Sequence, residues 1–462
     1  MQRLLVRLHN GRMRSDSGSA GAAWHNWAGN VTANPHRRAS PGSAVEVAAE
    51  VHRATADGQT IRMTGTGHSF TPTAAVDGVL LRPDRLTAIR SIDAAAGTVT
   101  AEAGCPLHVL NAALLARGLS LANMGDIQVQ TVAGATQTGT HGTGRDVGGM
   151  AAQIAGLELV LADGRIVTCS PDRPDGGLAG PGEEPANLFD AARVGLGALG
   201  IVTALTFRVV PAFLLEAREQ AMSWSQVISQ LDELTADNEH FEFFWFPHSE
   251  GCLTKRNNRS DGPARPLPRW RYLLDDEFLS NSVFGLTNRV GRLLPAAIPS
   301  INSVSAKALG SRTYIDAAYK VFTSPRRVRF KEEEYAIPRD ALSDVLAEVR
   351  ALFQRRDWRI SFPVEVRVTP ADDVWLSTAY GRDSAYIAIH VFHSAPHEQY
   401  FDDIEAVMTS VGGRPHWGKM HTRDAAYLRG AYPRMEQFVA LRDHLDPDRR
   451  FGNDYLRQVL GS

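Results

Sequence analysis

The residues best suited to chemistry lie in the segment Gly65–Phe70, with the sequence GTGHSF. A strand-like run, Gln59–Met63, leads into it. Its two glycines allow the backbone to turn sharply and to approach a ligand without an intervening Cβ. His68 stands at the apex of this turn. Such a loop can bind a phosphorylated cofactor through its amides and offer it an imidazole nitrogen, although a tight turn with a surface histidine has the same pattern.

A second segment, Thr131–Gly144, consists mainly of small and hydroxyl-bearing residues. It has too little bulk for a core strand, so we expect it to lie against a large planar ligand. Its amides and threonine hydroxyls would then donate hydrogen bonds to phosphate oxygens. His141 alone is more typical of a structural hydrogen-bonding residue than of a catalyst.

Four further residues could act on a bound substrate. Glu365 and Arg367 are two positions apart on a predicted strand and therefore share one face. They could form a structural ion pair or orient a polyhydroxylated substrate. His390 lies within another predicted strand, where a core histidine is the alternative. Lys419 follows the rigid run RPHWG and could supply a fixed cation, with a surface lysine as the alternative.

Composition limits the classes of protein that need to be considered. The chain has 462 residues, 44% of them hydrophobic, which predicts about two or three domains with a large core. Lys+Arg 49 against Asp+Glu 51 gives a net charge of -2, which argues against a nucleic-acid-binding protein. The three distant cysteines indicate neither a disulfide framework nor a metal site and favour a reducing, cytoplasmic location. No apolar run reaches the roughly 18 residues of a membrane span.

The segment Gly195–Gly200 has the letters of the dinucleotide-binding fingerprint, GxGxxG. That fingerprint follows a strand and opens a helix. Here a predicted helix, 187–194, comes first and a predicted strand, 201–210, follows. We therefore interpret the segment as a glycine-rich turn packed close to a ligand.

Together, these segments resemble the vanillyl-alcohol-oxidase superfamily of FAD enzymes, which has a PCMH-type FAD-binding domain. Within it the chain is similar to the branch of L-gulono-1,4-lactone and D-arabinono-1,4-lactone oxidases or dehydrogenases and of alditol oxidase. The resemblance extends from about residue 24 to the C-terminus. The motifs that carry it are Asn26–Asn30, Gly65–Phe70, Val132–Gly144, Leu196–Thr203, Tyr380–Asp383, His416–Lys419, Leu445–Pro447 and Phe451–Tyr455.

The resemblance implies an α+β fold in two domains. A two-part FAD-binding domain would cover residues 24–212. An α+β cap domain with an antiparallel sheet would cover residues 213–440 and lie over the isoalloxazine ring. A tail, 441–462, would return to the FAD-binding domain. Residues 1–23, rich in arginine and serine, are predicted to be a disordered extension.

The resemblance also implies residue roles. FAD would be attached covalently through His68 to the flavin 8α-methyl group, in a single link because residues 120–140 contain no cysteine. The other residues implied to bind FAD are Gly65, Thr66, Gly67, Ser69, Phe70, Thr138, Gly139, Thr140, His141 and Ile201. Thr131 would contact the substrate, and the catalytic residues would be Lys419, His390, Glu365 and Arg367.

The activity implied is oxidation of a hydroxyl of a sugar-1,4-lactone, such as L-gulono-1,4-lactone, by hydride transfer to flavin N5. The product could become ascorbate-like by enolisation, and the electrons would pass to oxygen or to a cytochrome c-like acceptor. One alternative is an alditol oxidase acting on xylitol or sorbitol, although Phe392 stands where alditol oxidase has threonine. A catalytically inactive flavin-binding protein is the other. Weak membrane association stays open.

Overall fold

The structure is a computed structural model that describes residues 23–178, 187–307 and 310–462. The predicted extension, residues 1–23, lies outside the described residues except for its last one. Within the described ranges, no helix is both long and apolar enough to cross a membrane.

The strands form one parallel sheet and several antiparallel ones. In chain order they are β1 Trp24–His25, β2 Thr32–Ala33, β3 Arg37–Ala39, β4 Ile61–Met63, β5 Val79–Leu81, β6 Ile89–Asp93, β7 Thr98–Glu102, β8 Leu119–Ser120, β9 Ile154–Val160, β10 Ile166–Cys169, β11 Ile201–Arg208, β12 Val210–Pro211, β13 Leu214–Ser223, β14 His240–Trp245, β15 Gly251–Ser260, β16 Arg312–Ala317, β17 Phe330–Pro338, β18 Val364–Thr369, β19 Ser384–Phe392 and β20 Arg414–Pro415.

Helices connect and cover these sheets. The α-helices are Ala44–Ala56, Leu107–Leu115, Val132–Thr136, Leu188–Ala192, Trp224–Ser229, Leu231–Ala236, Arg269–Tyr272, Phe284–Leu293, Ile298–Lys307, Ala318–Phe322, Leu342–Arg355, Glu398–Ser410, Ala425–Ala431, Met435–Leu445 and Asp454–Leu460. A π-helical stretch spans Leu273–Val283, and short 3-10 helices span Pro72–Ala74, Met150–Gln153, Pro295–Ala297 and Arg339–Ala341.

The first domain contains a parallel sheet of order β3-β5-β4 and an antiparallel sheet of order β10-β9-β11-β7-β6. A serine cap and apolar residues at helical spacing predict a helix over 43–56. The helix Ala44–Ala56 begins there, where the Ser43 hydroxyl accepts a hydrogen bond from the Glu46 amide. Its apolar side packs in one core with β4 and β5. The sequence also predicts a hairpin from 156–161 and 165–169, and this is confirmed, since β9 pairs with β10 in antiparallel register.

The second domain is built on an eight-stranded sheet of order β16-β13-β15-β14-β18-β19-β17-β20. Side chains alternate between the faces of a strand, so each strand contributes to two environments. One face is apolar and packs under the helices Leu342–Arg355 and Glu398–Ser410. The opposite face carries Glu332 and Glu334 of β17, Glu365 and Arg367 of β18, and His390 of β19, and the last three are predicted catalytic residues.

The last part of the chain returns to the first domain. Trp417 is fully buried in the first core, and its indole N–H donates to the Leu376 carbonyl at 2.7 Å. Residues of the helices Ala425–Ala431, Met435–Leu445 and Asp454–Leu460 join the same core. These helices and the predicted tail, 441–462, therefore pack in the core of the first domain.

Gly195–Gly200 is a turn between a helix and a strand, as predicted, since it lies between the helix Leu188–Ala192 and β11. Arg62 on β4 holds the turn in place. Its guanidinium donates to the Leu196 carbonyl at 2.6 Å and to the carbonyl of Phe451 in the tail. Burial lowers the pKa of Arg62 to about 10, against the opposing effect of Asp446, so the side chain stays charged at neutral pH.

Replacing this buried cation should therefore destabilise the first domain. We expect Arg62→Met to lower the free energy of unfolding by about 2–4 kcal/mol, because two buried carbonyls lose a charged donor. Arg85→Met is the control: the Arg85 side chain is 61% exposed and pairs with Glu46, so the change should stay within about 0.5 kcal/mol. Denaturant unfolding of both variants measures the difference, and equal losses would contradict this role for Arg62.

Candidate functional site

An open cleft with about 920 Å³ of empty space, part of it continuous with solvent, crosses the first domain. Three segments line it: the loop after β4, the stretch before and within the helix Val132–Thr136, and the turn before β11. Of the residues predicted to bind a cofactor or substrate, it is lined by Gly65, Thr66, Gly67, His68, Ser69, Thr131, Thr138 and Ile201.

The two small-residue segments meet at the cleft with almost no space between them. A Cβ on Gly65 would lie 2.8 Å from the Thr131 hydroxyl and 3.3 Å from the Gly134 Cα. Gly67 has φ +74, a backbone conformation that side chains disfavour. These contacts explain why the sequence has glycine at both positions of the loop.

His68 is held beside the cleft in a neutral form. Its Nδ1 lies 3.0 Å from the Thr66 hydroxyl, and its ring stacks on Trp27 with a centroid distance of 5.4 Å. Burial, and then the nearby Lys419 ammonium, lower the pKa of His68 to about 4. At neutral pH one ring nitrogen therefore keeps its lone pair, as attachment to an electrophilic carbon requires.

The motif Asn26–Asn30 holds the loop Gly65–Phe70, which we call the histidine loop. The Asn26 amide donates to the Ser69 carbonyl at 2.9 Å, and the Asn30 amide donates to the Phe70 carbonyl at 2.8 Å. The Phe70 amide in turn donates to the Gly418 carbonyl at 2.7 Å. The loop is thus tied on one side to the N-terminal strands and on the other to the segment that carries Lys419.

The cleft fits a polar dinucleotide. Arg62 Nε, Thr73 Oγ1 and Gln130 Oε1 belong to residues that line it, and these buried atoms have no hydrogen-bond partner among the described residues. A ligand with phosphate, ribose and ring nitrogen atoms can satisfy such groups, whereas leaving them unpaired is costly. Glycine loops with exposed amides supply the phosphate-binding part of the same requirement.

Other predicted residues lie outside the cleft lining or have local partners. Thr131 caps the short helix Val132–Thr136, which we did not predict, by accepting a hydrogen bond from the Gly134 amide at 3.1 Å. The remaining FAD-binding predictions do not line the cleft: they are Phe70, Gly139, Thr140 and His141. Phe70 instead packs against Phe330 and lies under the Lys419 ammonium, 5.4 Å from its ring centre.

The structure brings Lys419 and His390 together on one carboxylate. Glu332 on β17 accepts a hydrogen bond from Lys419 Nζ, and its other oxygen lies 3.3 Å from His390 Nε2. Burial alone would raise the pKa of Glu332, but Lys419 and His390 bring it below the usual value. Burial lowers the pKa of Lys419, and Glu332 and Glu334 more than offset this, so Lys419 is a cation.

Glu365 and Arg367 form a second group on the same face of the sheet. Arg367 contacts Glu365, as the two-residue spacing led us to expect, and its Nε also donates to Glu242 at 2.9 Å. Asp126 lies 3.7 Å from the same guanidinium and 2.7 Å from Arg326. Burial would raise the pKa of Asp126, but the two arginines hold it below its usual value.

His141 belongs to a third polar group, with Glu334 and His416. Its Nε2 lies 3.4 Å from Glu334, and its ring stacks on Tyr386. Ligand atoms of the three residues lie within 4.8 Å of one another, which raises the question of a metal site. Burial lowers the pKa of His416 to about 3 despite Glu334, and its Nδ1 accepts from the Gly418 amide. Its proton therefore lies on Nε2, and this neutral ring has no free lone pair for a metal.

Sequence reasoning missed most of the acidic residues of this face. They are Asp126, Glu242, Glu332 and Glu334. A signal was available for the last two, because a run of three glutamates within an otherwise apolar strand has no solvated face. Asp126 and Glu242 lie far from Arg367 in the chain, and only the fold brings them to it.

Comparisons with known proteins agree with this geometry. The family model described as D-arabinono-1,4-lactone oxidase matches residues 205–459, and the one described as FAD binding domain matches residues 35–170. An L-gulono-1,4-lactone dehydrogenase of Mycobacterium tuberculosis is 41% identical, over 95% of this chain and 99% of the relative. An alditol oxidase of a Streptomyces species is 31% identical, over 94% and 98% of the two chains.

The fold has a solved counterpart as well. The crystal structure of cholesterol oxidase from B. sterolicum superposes with a TM-score of 0.80 at 18% identity, over 95% of this chain and 97% of that one. At this identity the likeness concerns the fold, which is a PCMH-type flavoenzyme fold. Because the lactone oxidase model covers more than half of the sequence, the chain belongs to the D-arabinono-1,4-lactone oxidase family of FAD-dependent oxidoreductases.

Proposed function

We propose that this enzyme oxidises a hydroxyl group of a sugar-1,4-lactone, with FAD attached through His68. The observation that carries the proposal is the position of Lys419: its ammonium lies over Phe70 of the histidine loop and pairs with Glu332 of the sheet. A fixed cation thus lies between the histidine loop and the polar face of the sheet. When bound, FAD supplies the acceptor for the hydride.

The protein residues act on the hydroxyl that loses the hydride. Lys419, a cation, stabilises negative charge on the hydroxyl oxygen, and the His390 imidazole takes the hydroxyl proton. Arg367 offers guanidinium N–H groups to other substrate oxygens and adds positive charge. Because these groups are buried, their fields act with little screening by water.

The ring contacts around His390 favour a compact cyclic substrate over an open-chain polyol. Phe330 meets the His390 ring edge to face at 5.2 Å, and Phe362 stacks on it at 6.1 Å. Phe392 pairs with Phe330 in the strand register. These aromatic walls favour contact with the flat ring of a lactone. We infer that sugar lactones are better substrates than xylitol or sorbitol, which remain the second candidates.

A substrate panel tests this function. Flavin bleaching under anaerobic conditions should be at least about tenfold faster with aldono-1,4-lactones than with polyols. Lys419→Met should slow bleaching by about 10²-fold or more, because the fixed cation is lost. Repeating the panel in air, with and without an artificial acceptor, shows whether oxygen or another acceptor takes the electrons.

Lys331→Met is the matched control for that variant. Lys331 is on β17 next to Glu332, the partner of Lys419, but its own ammonium lies 3.1 Å from His397. Its loss should leave bleaching unchanged. Faster bleaching by polyols would instead favour an alditol oxidase, and no bleaching by any member would favour an inactive flavin-binding protein.

The covalent link predicts a colour that survives denaturation. Acid-precipitated protein should retain flavin absorbance at about 450 nm, because a bond to His68 resists unfolding. His68→Ala should release the flavin on precipitation, whereas His25→Ala, which removes an exposed histidine from β1, should not. Flavin retained by the His68 variant would exclude this residue as the attachment site.

The electron acceptor in this proposal is dioxygen or a cytochrome c-like carrier. Ala133 and Gly134 line the cleft and leave room beside the cofactor that a small molecule could use. We also propose a cytoplasmic location. The supporting observation is that Cys105, Cys169 and Cys252 are buried free thiols, which persist most readily under reducing conditions.

We further propose weak association with an anionic membrane surface. Nine of the fourteen exposed large apolar residues among the described residues lie between positions 270 and 304. They include Leu286 and Leu293, 59% and 78% exposed, on the helix Phe284–Leu293, which also exposes Arg289 and Arg292. Exposed apolar side chains flanked by arginines suit a surface of anionic lipid.

Vesicle flotation tests this surface. The protein should float with vesicles of phosphatidylcholine and phosphatidylglycerol, and less with phosphatidylcholine alone. The double variant Leu286→Ser and Leu293→Ser should lose most of the binding. Val45→Ser with Val109→Ser, which are 69% and 42% exposed in the first domain, should bind normally. If the double variant at Leu286 and Leu293 lost self-association but floated like the parent, these exposed apolar residues would instead form an interface between copies of the chain.

A further inference from the structure

We propose that Glu332 is a positioning residue that holds Lys419 and His390 in one arrangement and keeps Lys419 charged. This inference rests on the proposed function, because it concerns the two residues placed there on the substrate hydroxyl. No motif in the sequence pointed to Glu332. Its role follows from its position. The strand register brings its carboxylate to His390, and the returning chain brings Lys419 to the same carboxylate.

The backbone and the side chain of Glu332 contact both partners. The strands β17 and β19 pair so that Glu332 stands directly opposite His390. Its Oε1 lies 3.3 Å from His390 Nε2, and its Oε2 accepts from Lys419 Nζ. The Met420 amide donates to the Glu332 carbonyl at 2.9 Å, so the segment that carries Lys419 is docked on this same residue. The carboxylate is only 6% exposed, which leaves it few other partners.

The orientation of the His390 ring gives this contact a chemical consequence. Its Nδ1 lies 3.3 Å from the Pro363 carbonyl and its Nε2 lies 3.3 Å from Glu332, so both ring nitrogens are oriented by oxygen acceptors. When the ring takes the substrate proton, the O–H bond breaks, an N–H bond forms and the electron pair stays on the oxygen. The new imidazolium lies beside the carboxylate, which stabilises it.

Lys419 depends on the same carboxylate for its charge. Burial lowers the pKa of Lys419, and Glu332 is the largest of the effects that raise it, ahead of Glu334 and Asp126. Two neutral histidine rings also lie near it. The titratable groups near the Lys419 ammonium are Glu332 and Glu334 on β17, Asp126, His68 and His416. Without Glu332, fewer anions oppose the effect of burial. The pKa of Lys419 should therefore fall, so that the ammonium loses its proton at lower pH.

The adjacent residue Glu333 provides a matched control. It is on the same strand and 2% exposed, but its side chain points to the opposite face. Burial, and then Glu405, raise its pKa well above the usual value, so the group is neutral. Glu333→Gln therefore makes the same substitution as Glu332→Gln at a similar depth, but it removes no charge and does not touch Lys419 or His390.

The experiment compares pH profiles of lactone oxidation by the holoenzyme. Glu332→Gln should lower kcat by about 10²-fold with a much smaller change in KM. Activity needs the ammonium and is lost as pH rises through the pKa of Lys419, so the alkaline limb should move to lower pH by about one unit. Glu332→Asp should recover part of both effects, and Glu333→Gln should leave both unchanged.

A second measurement does not depend on the substrate. Acetylation of Lys419 by acetic anhydride, followed by mass spectrometry across pH, reports how much of the amine is unprotonated. Glu332→Gln should make Lys419 more reactive at neutral pH than in the parent or in Glu333→Gln. An unchanged Lys419 profile, or equal effects of the two Gln variants, would overturn the inference. If the parent oxidises no lactone but Lys419 reactivity still shifts, only the proposed function fails.

Discussion

Charges buried on one face of the eight-stranded sheet must be compensated by neighbouring charges. This constraint fixes the positions of the side chains on that polar face. Arg367 is surrounded by Glu365, Glu242 and Asp126, and Lys419 lies on Glu332. An unpaired charge at this depth would cost several kcal/mol, on the order of the penalty for a buried ion. Arg367 is therefore held by partners on its own strand, on β14 and in the first domain, so its position depends both on the sheet register and on the loop that carries Asp126.

The same constraint joins the two domains. The segment His416–Met420 hydrogen-bonds to β17 through its backbone, and Trp417 lies in the first core. The Thr71 hydroxyl donates to the Trp417 carbonyl at 2.7 Å, directly after the histidine loop. One short segment thus sets the distance between that loop and the charged face. Small shifts in either domain would therefore move the Lys419 ammonium.

Local patterns were enough to predict the helix Ala44–Ala56, the β9–β10 hairpin and the turn before β11, because each depends on contacts between near neighbours. The spacing of Glu365 and Arg367 likewise predicted a shared face. Asp126 and Glu242 could not be found in this way, since strand order brings Glu242 to Arg367 and Asp126 approaches it from a loop of the first domain. The helix Val132–Thr136 was missed because its residues are small and its cap, Thr131, was interpreted as a substrate contact.

The fold itself does not require this polar face. Replacing a buried ion pair by packed apolar residues is often neutral or stabilising. The opposite face of the same strands shows that the sheet accepts such residues, because Tyr335, Ile387 and Val366 fill it without a charge. Several carboxylates and cations buried on one face, beside a loop with a neutral histidine, are therefore costly to stability. A catalytic role explains this cost, since each of these groups can bind a substrate oxygen or hold a proton beside the histidine loop.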